Sequence, residues 1–151
     1  MARFKYRMQN ILGVKEKLET QAKTEFAIAN GKVQEEQEKL NFLLERKRGY
    51  ELEAEELLVA VPLKIQDITD NKAAILRMDD YIVEQNRQLE LAQRQLEKQR
   101  IKLTQSMQER KTQEILKEYA FEEFLKEEKT SESKEIDELT SYLYGRKDDT
   151  K

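Results

Sequence analysis

The chain has 151 residues and a formal net charge of −3, with 38% hydrophobic and 39% charged residues. Ordinary globular domains contain about 45–50% apolar residues, so this composition excludes a large compact core. The chain has neither Cys nor His. It therefore lacks disulfides, a thiolate nucleophile and the side chain that most often serves as a neutral-pH base or metal ligand.

The first helix is predicted from about residue 4 to about residue 58. Its apolar residues recur at helical spacing. They are Ile11, Val14, Leu18, Ala22, Phe26, Ala29, Val33, Leu40, Leu43, Tyr50, Ala54 and Leu57. Two successive steps of four around Ala22 and Phe26 predict a stutter in the supercoil. Gly13, Gly31 and Gly49 each cost about 1 kcal/mol relative to Ala inside a helix, so we expect a continuous but soft helix.

A turn is predicted at about residues 59–63, because Pro62 is the only proline and cannot occupy a helix interior. The segment from Leu58 to Leu63 is unusually apolar for a turn. It predicts a capped tip at which the two helices close over each other. The alternative is a hydrophobic contact for another protein.

The second helix is predicted from about residue 64 to about residue 144, followed by a frayed tail at 145–151 that begins with Gly145. Along this helix, residues at alternating spacings of three and four positions lie on one stripe for seven heptads, and this spacing predicts a coiled-coil seam. The seam is Ile75, Met78, Ile82, Gln85, Leu89, Ala92, Leu96, Gln99, Leu103, Ser106, Arg110, Gln113, Lys117, Ala120 and Phe124. Its polar members can fix the register of the helices. Alternatively, the cluster of polar residues from Ser106 to Lys117 weakens the pairing of the two helices at the end of the hairpin opposite the start of the first helix.

Together these elements predict an all-α fold: a long antiparallel two-helix coiled-coil hairpin, formed by residues 1–151 as a single domain. If the chain folds back near residue 61, Ala2 lies opposite about Ala120. The helical residues after Ala120 then form a C-terminal helical overhang. Apolar residues continue there without a helix in the same chain to cover them. They are Phe121, Phe124, Leu125, Ile136, Leu139, Tyr142, Leu143 and Tyr144. This pattern predicts a partner protein. A longer parallel dimer remains open.

The sequence does not predict a catalytic site, a phosphate-binding site or a nucleic-acid-binding surface. The acid pairs Glu122–Glu123 and Glu127–Glu128 have no enclosed pocket on a two-helix rod, and the glycines form no phosphate-binding loop. The bases of residues 87–111 are spread around the helix without interleaved aromatics. We therefore expect no enzyme activity, catalytic residue, cofactor, metal, small-molecule substrate or nucleic acid. No apolar run approaches the roughly 20 residues of a transmembrane helix, so we expect a soluble, unprocessed protein without transmembrane insertion.

Both ends of the chain carry a family resemblance. The opening FKYRMQNILGVKEK of residues 4–17, the closing KEIDEL of residues 134–139, the length and the single break near residue 60 resemble the FliJ proteins of the flagellar type III export apparatus. The resemblance implies a hairpin similar to the central stalk of rotary ATPases. It also implies a non-catalytic stalk or adaptor in the cytoplasm, peripherally associated with the inner face of the cell membrane at the flagellar base.

Two partners follow from the resemblance. The first is the hexameric ring of the flagellar export ATPase (FliI-like), whose assembly and activity the stalk promotes. The second is the cytoplasmic domain of the export-gate protein (FlhA-like), which the stalk links to the ATPase in flagellum assembly, and hence in motility and chemotaxis. Predicted ring contacts are Phe4, Ile11, Phe121, Phe124, Leu125, Ile136, Leu139 and Leu143. Predicted gate contacts are Leu43, Tyr50, Ile75, Asp79, Ile82 and Asn86.

Two rival functions remain open. One is a general chaperone, or an escort for export chaperones, that shields flagellar export substrates with the apolar overhang. The other is a homodimeric coiled-coil scaffold. A stalk should be monomeric alone and should stimulate the ATPase, whereas a scaffold should dimerise through its second helix.

Overall fold

Two helices account for nearly all of the chain. A computed structural model describes residues 2–149, with side chains as far as residue 146. Helix α1 spans Gln9–Val59 and helix α2 spans Ile65–Asp149. No strand is present in residues 2–149. The predicted all-α class with two long helices is confirmed.

The helix ends differ in detail from the predicted ones. Helix α1 begins at Gln9 rather than near residue 4, and its first turn is closed by a hydrogen bond from the Gln9 amide to the Tyr6 carbonyl, at 3.1 Å. Helix α2 continues through Gly145 to Asp149, because Gly145 does not adopt the positive φ of a helix-terminating glycine. Residues 150 and 151 of the predicted tail lie outside the described residues. The Val61–Pro62 peptide bond between the helices is cis.

The structure contains two compact units, which are described separately. In the unit formed by residues 21–104, the Asn71 side-chain amide donates to the Tyr50 carbonyl at 2.9 Å. The Lys47 ammonium lies 2.7 Å from the Asp79 carboxylate. Farther along, the Gln85 amide donates to the Glu36 carbonyl at 2.9 Å. Partner numbers on α2 rise as those on α1 fall, so the helices run antiparallel in the predicted register.

The other unit consists of residues 2–20 and the chain from residue 105 onward. Here Lys15 lies 3.0 Å from Glu109, and the Tyr6 hydroxyl donates to the Gln113 side chain at 3.1 Å. These pairs also follow the predicted antiparallel register to within a few residues. From residue 129 to residue 146 every side chain of α2 is exposed. The predicted hairpin with a C-terminal overhang is confirmed. The assignment of all 151 residues to one domain stays a prediction.

The predicted seam of α2 is confirmed at every position. All fifteen residues from Ile75 to Phe124 are buried or half-buried, whereas most of their neighbours are exposed. The buried apolar residues of the interface are alanines and medium-sized apolar side chains. They are Leu12, Ala22, Ala29, Leu40, Ala74, Met78, Leu89 and Ala92. This narrow layer matches the interface of a coiled coil and not the interior of a globular domain.

The predicted seam of α1 is wrong in its first turns. Ile11 is 44% exposed and Leu18 is 43% exposed, whereas Leu12 is 3% and Glu19 is 5% exposed. Burial alternates in steps of four and three along the whole helix, and no stutter occurs. The observed seam is Met8, Leu12, Lys15, Glu19, Ala22, Phe26, Ala29, Val33, Glu36, Leu40, Leu43, Lys47, Tyr50, Ala54 and Leu57. The register of the later heptads therefore carries Lys15 and Glu19 into the first part of the seam and leaves Ile11, Val14 and Leu18 outside it.

Candidate interaction surfaces

Sites for small ligands are scarce in the part of the chain that the structure describes. It contains no group of three or more His, Cys, Asp or Glu side chains that could hold a metal ion. Glu122, Glu123 and Glu127 are exposed and Glu128 is half-exposed, so these acid pairs lie in solvent. The grooves along the helices are shallow and open, as in the one lined by Phe4, Leu12, Glu16, Glu114 and Phe121 among others. The candidate sites are therefore surfaces.

An aromatic cluster fixes the segment that precedes α1. The Phe4 ring lies 5.1 Å from the Phe121 ring and 5.4 Å from the Phe124 ring, measured between centroids. The two α2 rings are 6.5 Å apart. The first contact is edge-to-face, a favoured geometry for aromatic pairs. Three of the predicted ring contacts thus pack on one another, and Phe121 keeps part of its ring exposed.

Beyond this cluster, α2 carries a line of exposed apolar residues that we call the trailing stripe. It consists of Phe121, Leu125, Ile136, Leu139 and Leu143, whose exposed fractions run from 43% to 62%. Their spacing places them within about 60° on one side of a helix with 3.6 residues per turn. All five belong to the predicted ring-contact set. No residue among those described covers the part of the stripe beyond residue 128.

Sequence reasoning missed a second apolar line, the leading stripe of Ile11, Val14 and Leu18. Because the sequence places these residues in the predicted seam, it does not predict their exposure, although Ile11 is among the predicted ring contacts. Their spacing of three and four places them on one face of α1, beside the buried line. Extending the regular heptad backward from Ala22 through Glu19 and Lys15 would have revealed them.

The predicted gate-contact residues lie mainly between the helices. Leu43, Tyr50, Ile75 and Ile82 are half-buried seam residues, so their side chains pack between α1 and α2. Asp79 is half-buried in its ion pair with Lys47, and Asn86 alone of the six is exposed. Outward apolar side chains occur close by instead. They are Phe42, Leu44, Leu76, Tyr81 and Val83.

A charged and hydrogen-bonded layer interrupts the apolar seam at Glu36. Lys32 donates to the Glu36 carboxylate at 2.9 Å, and the Gln85 amide also donates to it. Hydrogen bonds from Lys32 and then from Gln85 lower the pKa of Glu36 to about 2. A buried carboxylate with these donors is held in its charged form. The Glu36–Gln85 pair is a polar register mark of the type predicted for Gln85.

The turn between the helices is an exposed apolar surface, which we call the turn cluster. Its members are Leu58, Val59, Val61, Leu63 and Ile65, and Val61 is 97% exposed. The predicted capped tip is wrong. Helix α1 ends at Val59 and α2 begins at Ile65, and this short connection has no residues left with which to cover the cluster.

The basic stretch of residues 87–111 is largely neutralised within its own helix. Arg87 pairs with Glu84, Arg94 with Glu90 and Arg100 with Glu97, at nitrogen–oxygen distances of 2.6–2.7 Å. Such pairs between positions three or four apart leave less positive charge for phosphates. The absence of a nucleic-acid partner stays a prediction.

The described helices define the class of all-α proteins built as an antiparallel helical hairpin with an uncovered terminal helix. The solved structure of CT670 from Chlamydia trachomatis, described as a homologue of YscO, has the same fold with a TM-score of 0.74 and 22% sequence identity. The match covers 99% of this chain and 100% of that chain. No curated protein matches the chain.

The family described as flagellar FliJ protein matches residues 4–149, so the chain belongs to the FliJ family. This confirms the predicted family. Members of this family are non-catalytic adaptors associated with the flagellar type III export machinery. None of the helices in the described part of the chain has a segment both long and apolar enough to cross a bilayer.

Proposed function

We propose that the chain is the stalk and adaptor of a flagellar export ATPase: it inserts into the hexameric ring, promotes its activity and links it to the export gate. One observation carries the proposal. In a member of the FliJ family, the trailing stripe continues along α2 where side chains are exposed on all sides. Burying an exposed aliphatic side chain in a partner contributes about 1.5–3 kcal/mol, so several such residues supply enough free energy for docking.

The trailing stripe suits the inside of a ring. Its apolar residues are separated by charged ones such as Glu128 and Glu132, so each contact is small and is bordered by water-exposed carboxylates. Numerous weak contacts permit repeated engagement and release, which a single deep pocket would prevent. The aromatic cluster at Phe4 fixes the point at which the paired helices end and the single helix begins.

The proposal places the chain at the inner face of the cell membrane, held there through its partners. The export gate is the second partner, and the predicted contacts at Leu43, Tyr50, Ile75, Asp79, Ile82 and Asn86 belong to this link. Because most of these side chains pack between the helices, residues next to them are better placed to touch the gate directly. Flagellum assembly, and through it motility, would depend on both contacts.

The test measures stimulation of the purified export ATPase by the full-length chain. Substitution Ile136→Ser with Leu143→Ser removes two apolar side chains of the trailing stripe and should abolish most of the stimulation. The matched control is Tyr144→Ser, which removes an exposed aromatic residue from a different side of the same helical segment. If both variants stimulate the ATPase like the unchanged chain, the stripe is not the ring contact and the proposal fails.

The two rival functions predict different results. A chaperone should suppress aggregation of an unfolded filament protein with no ATPase present, and the same double substitution should remove that effect. A scaffold should sediment as a dimer, with the trailing stripe buried between copies. A monomer that stimulates the ATPase and leaves aggregation unchanged would exclude both rivals.

A further inference from the structure

Two exposed apolar lines of this chain have the same spacing. The leading stripe advances from Ile11 by three and then by four residues, and the end of the trailing stripe advances in the same steps from Ile136 through Leu139 to Leu143. All six side chains are 43–62% exposed. Each line has the form of a coiled-coil face that lacks its partner helix.

The two lines cannot cover each other within one molecule. The Lys15 ammonium on α1 lies 3.0 Å from the Glu109 carboxylate on α2, so these two residues are level along the hairpin. Val14 is therefore level with about residue 110, whereas Leu139 lies about 29 residues farther along α2, or about 43 Å at 1.5 Å per residue. Contact between the two lines requires two molecules.

The segments that carry the two lines differ in charge. Residues 2–18 contain five bases and one acid, whereas residues 121–146 contain eight acids and four bases. The one acid of the first segment, Glu16, lies on the side of α1 opposite the leading stripe, because successive residues of a helix are turned by about 100°. A second copy therefore offers each line the matching spacing and the opposite charge.

The alignment of the two lines also pairs a base with an acid. Each residue at the end of the trailing stripe has the number of its counterpart in the leading stripe plus 125. The same alignment places Glu132 of one copy opposite Arg7 of the other. Both side chains are exposed, and neither forms an ion pair within the described part of the chain. An ion pair here would extend the apolar contact by one turn.

We propose that the leading stripe binds the end of the trailing stripe of a second copy, in a reciprocal two-fold dimer. The overhang of one copy then runs parallel to α1 of the other. A two-fold axis level with about residue 124 of α2 makes both contacts at once, because this residue is midway between the levels of the two lines. The contact is isologous, so the assembly closes at two copies.

The dimer is weak and reversible, because each of its two contacts consists of three aliphatic residues from either side. At the low protein concentrations of an ATPase assay the chain is then monomeric. The ATPase ring and a second copy compete for the trailing stripe, a consequence that rests on the proposed function. The dimer itself does not depend on it.

Sedimentation equilibrium of the full-length chain between about 1 and about 300 μM tests the inference and should show a monomer–dimer equilibrium. Ile11→Ser with Leu18→Ser should weaken dimerisation at least about tenfold. The matched control, Ile28→Ser with Leu91→Ser, changes the same residue types at exposed positions outside both stripes and should alter it less than about twofold. Helix content, followed by circular dichroism, should be equal in all variants.

Charge reversal tests the alignment. Arg7→Glu and Glu132→Arg should each weaken the dimer, and the two substitutions in one chain should restore it to within about twofold of the unchanged chain. These residues are far apart along one hairpin, so restoration reports a contact between copies. A double variant as weak as the single ones would overturn the alignment and the inference with it.

Cross-linking tests which helices meet, because the chain contains no Cys. Chains carrying Val14→Cys should form a disulfide with chains carrying Leu139→Cys when the two are mixed, since these positions are opposite each other in the dimer. Neither variant alone should cross-link. Cross-linking of Leu139→Cys chains to one another would overturn the inference in favour of a scaffold that pairs its second helices.

The outcomes separate this inference from the proposed function. A chain that stimulates the ATPase but stays monomeric at all concentrations overturns only this inference. A chain that forms the described dimer but does not stimulate the ATPase overturns the proposed function, and the dimer stands. Equal weakening by the Ile28→Ser, Leu91→Ser control would overturn the assignment of the leading stripe to the dimer contact.

Discussion

Arg110 of α2 donates a hydrogen bond to the carboxylate of Glu19 on α1, and both residues occupy seam positions. Arg110 also reaches Glu114 on its own helix at 2.7 Å, and the hydrogen bonds to Glu114 and then to Glu19 raise the pKa of Arg110. Glu19 is nearly excluded from water. A charged pair in a coiled-coil seam costs solvation energy, and we expect its main effect to be the exclusion of slipped registers.

Replacing either Arg110 or Glu19 alone should therefore lower the stability of the paired helices more than replacing both residues. Arg110→Leu leaves the Glu19 carboxylate in the seam without its guanidinium and should lower the melting temperature by several degrees. Glu19→Leu with Arg110→Leu replaces the pair by aliphatic side chains and should restore or exceed the original melting temperature. Thermal melts of the four proteins of this mutant cycle measure the coupling.

The same cycle tests register. If the pair fixes the alignment of the helices, the double Leu variant should show altered hydrogen exchange along residues 2–20 in spite of its higher melting temperature. Additive effects of the two single substitutions would contradict the coupling.

Acid should weaken the seam at Glu36. The pKa of this carboxyl is lowered to about 2 by the hydrogen bonds from Lys32 and Gln85, so the folded chain takes up the proton at lower pH than the unfolded chain does. The stability from Glu36 is therefore fully present above the unfolded value of about 4.3 and is lost as the pH falls from there toward about 2.

Melting temperatures between pH 7 and pH 2 measure this dependence. Glu36→Gln should be less stable than the unchanged chain at pH 7, and the difference should shrink steadily below about pH 4.3. The matched control is Glu38→Gln, which changes an exposed carboxylate on the same helix. Parallel curves for the unchanged chain and Glu36→Gln would contradict the assigned role.

The sequence predicted α2 better than α1, for a physical reason. Along α2 the apolar residues outnumber the polar ones in the seam, so their spacing predicts a seam whose positions from Ile75 to Phe124 are all buried or half-buried. At the start of α1, Ile11, Val14 and Leu18 form an equally good apolar line, so counting apolar residues alone selects the wrong face. The regular heptad extended backward from Ala22 indicates the observed face, and the ion pairs of Lys15 with Glu109 and of Glu19 with Arg110 on the other helix agree with it.

The candidate surfaces divide in the same way. The trailing stripe could be predicted, because its exposure follows from the unequal lengths of the two helices. The exposure of the turn cluster could not, because an apolar connection between helices is compatible with both a capped tip and a free one. The connection between Val59 and Ile65 is too short to cover the cluster, so the tip is exposed. The spacing of apolar residues in the sequence does not predict this exposure.

The glycines inside α1 offer a gain in stability. A Cβ atom built at Gly13, Gly31 or Gly49 meets nothing within 4 Å, and no glycine of the described residues has a positive φ. Alanine at Gly31 and Gly49 together should stabilise the chain by about 1–2 kcal/mol, because it restricts the unfolded chain and favours the helix. Urea denaturation measures the change. As a control, Ala27→Gly at an exposed position should cost about 0.5–1 kcal/mol.

Loss of the Phe4 ring should free the segment that leads into α1. Its contacts with Phe121 and Phe124 are the packing that holds residues before Gln9 against α2, together with the Tyr6 hydrogen bond to Gln113. Phe4→Ala should cost about 1–3 kcal/mol, less than a fully buried ring, because the cluster is half-exposed. Hydrogen exchange should accelerate in the first turns of α1 while residues 21–104 keep their protection. Phe4→Leu, which retains an apolar side chain, should recover most of the protection. Unchanged exchange in Phe4→Ala would mean that Tyr6 and the turn at Gln9 hold the segment without the aromatic cluster.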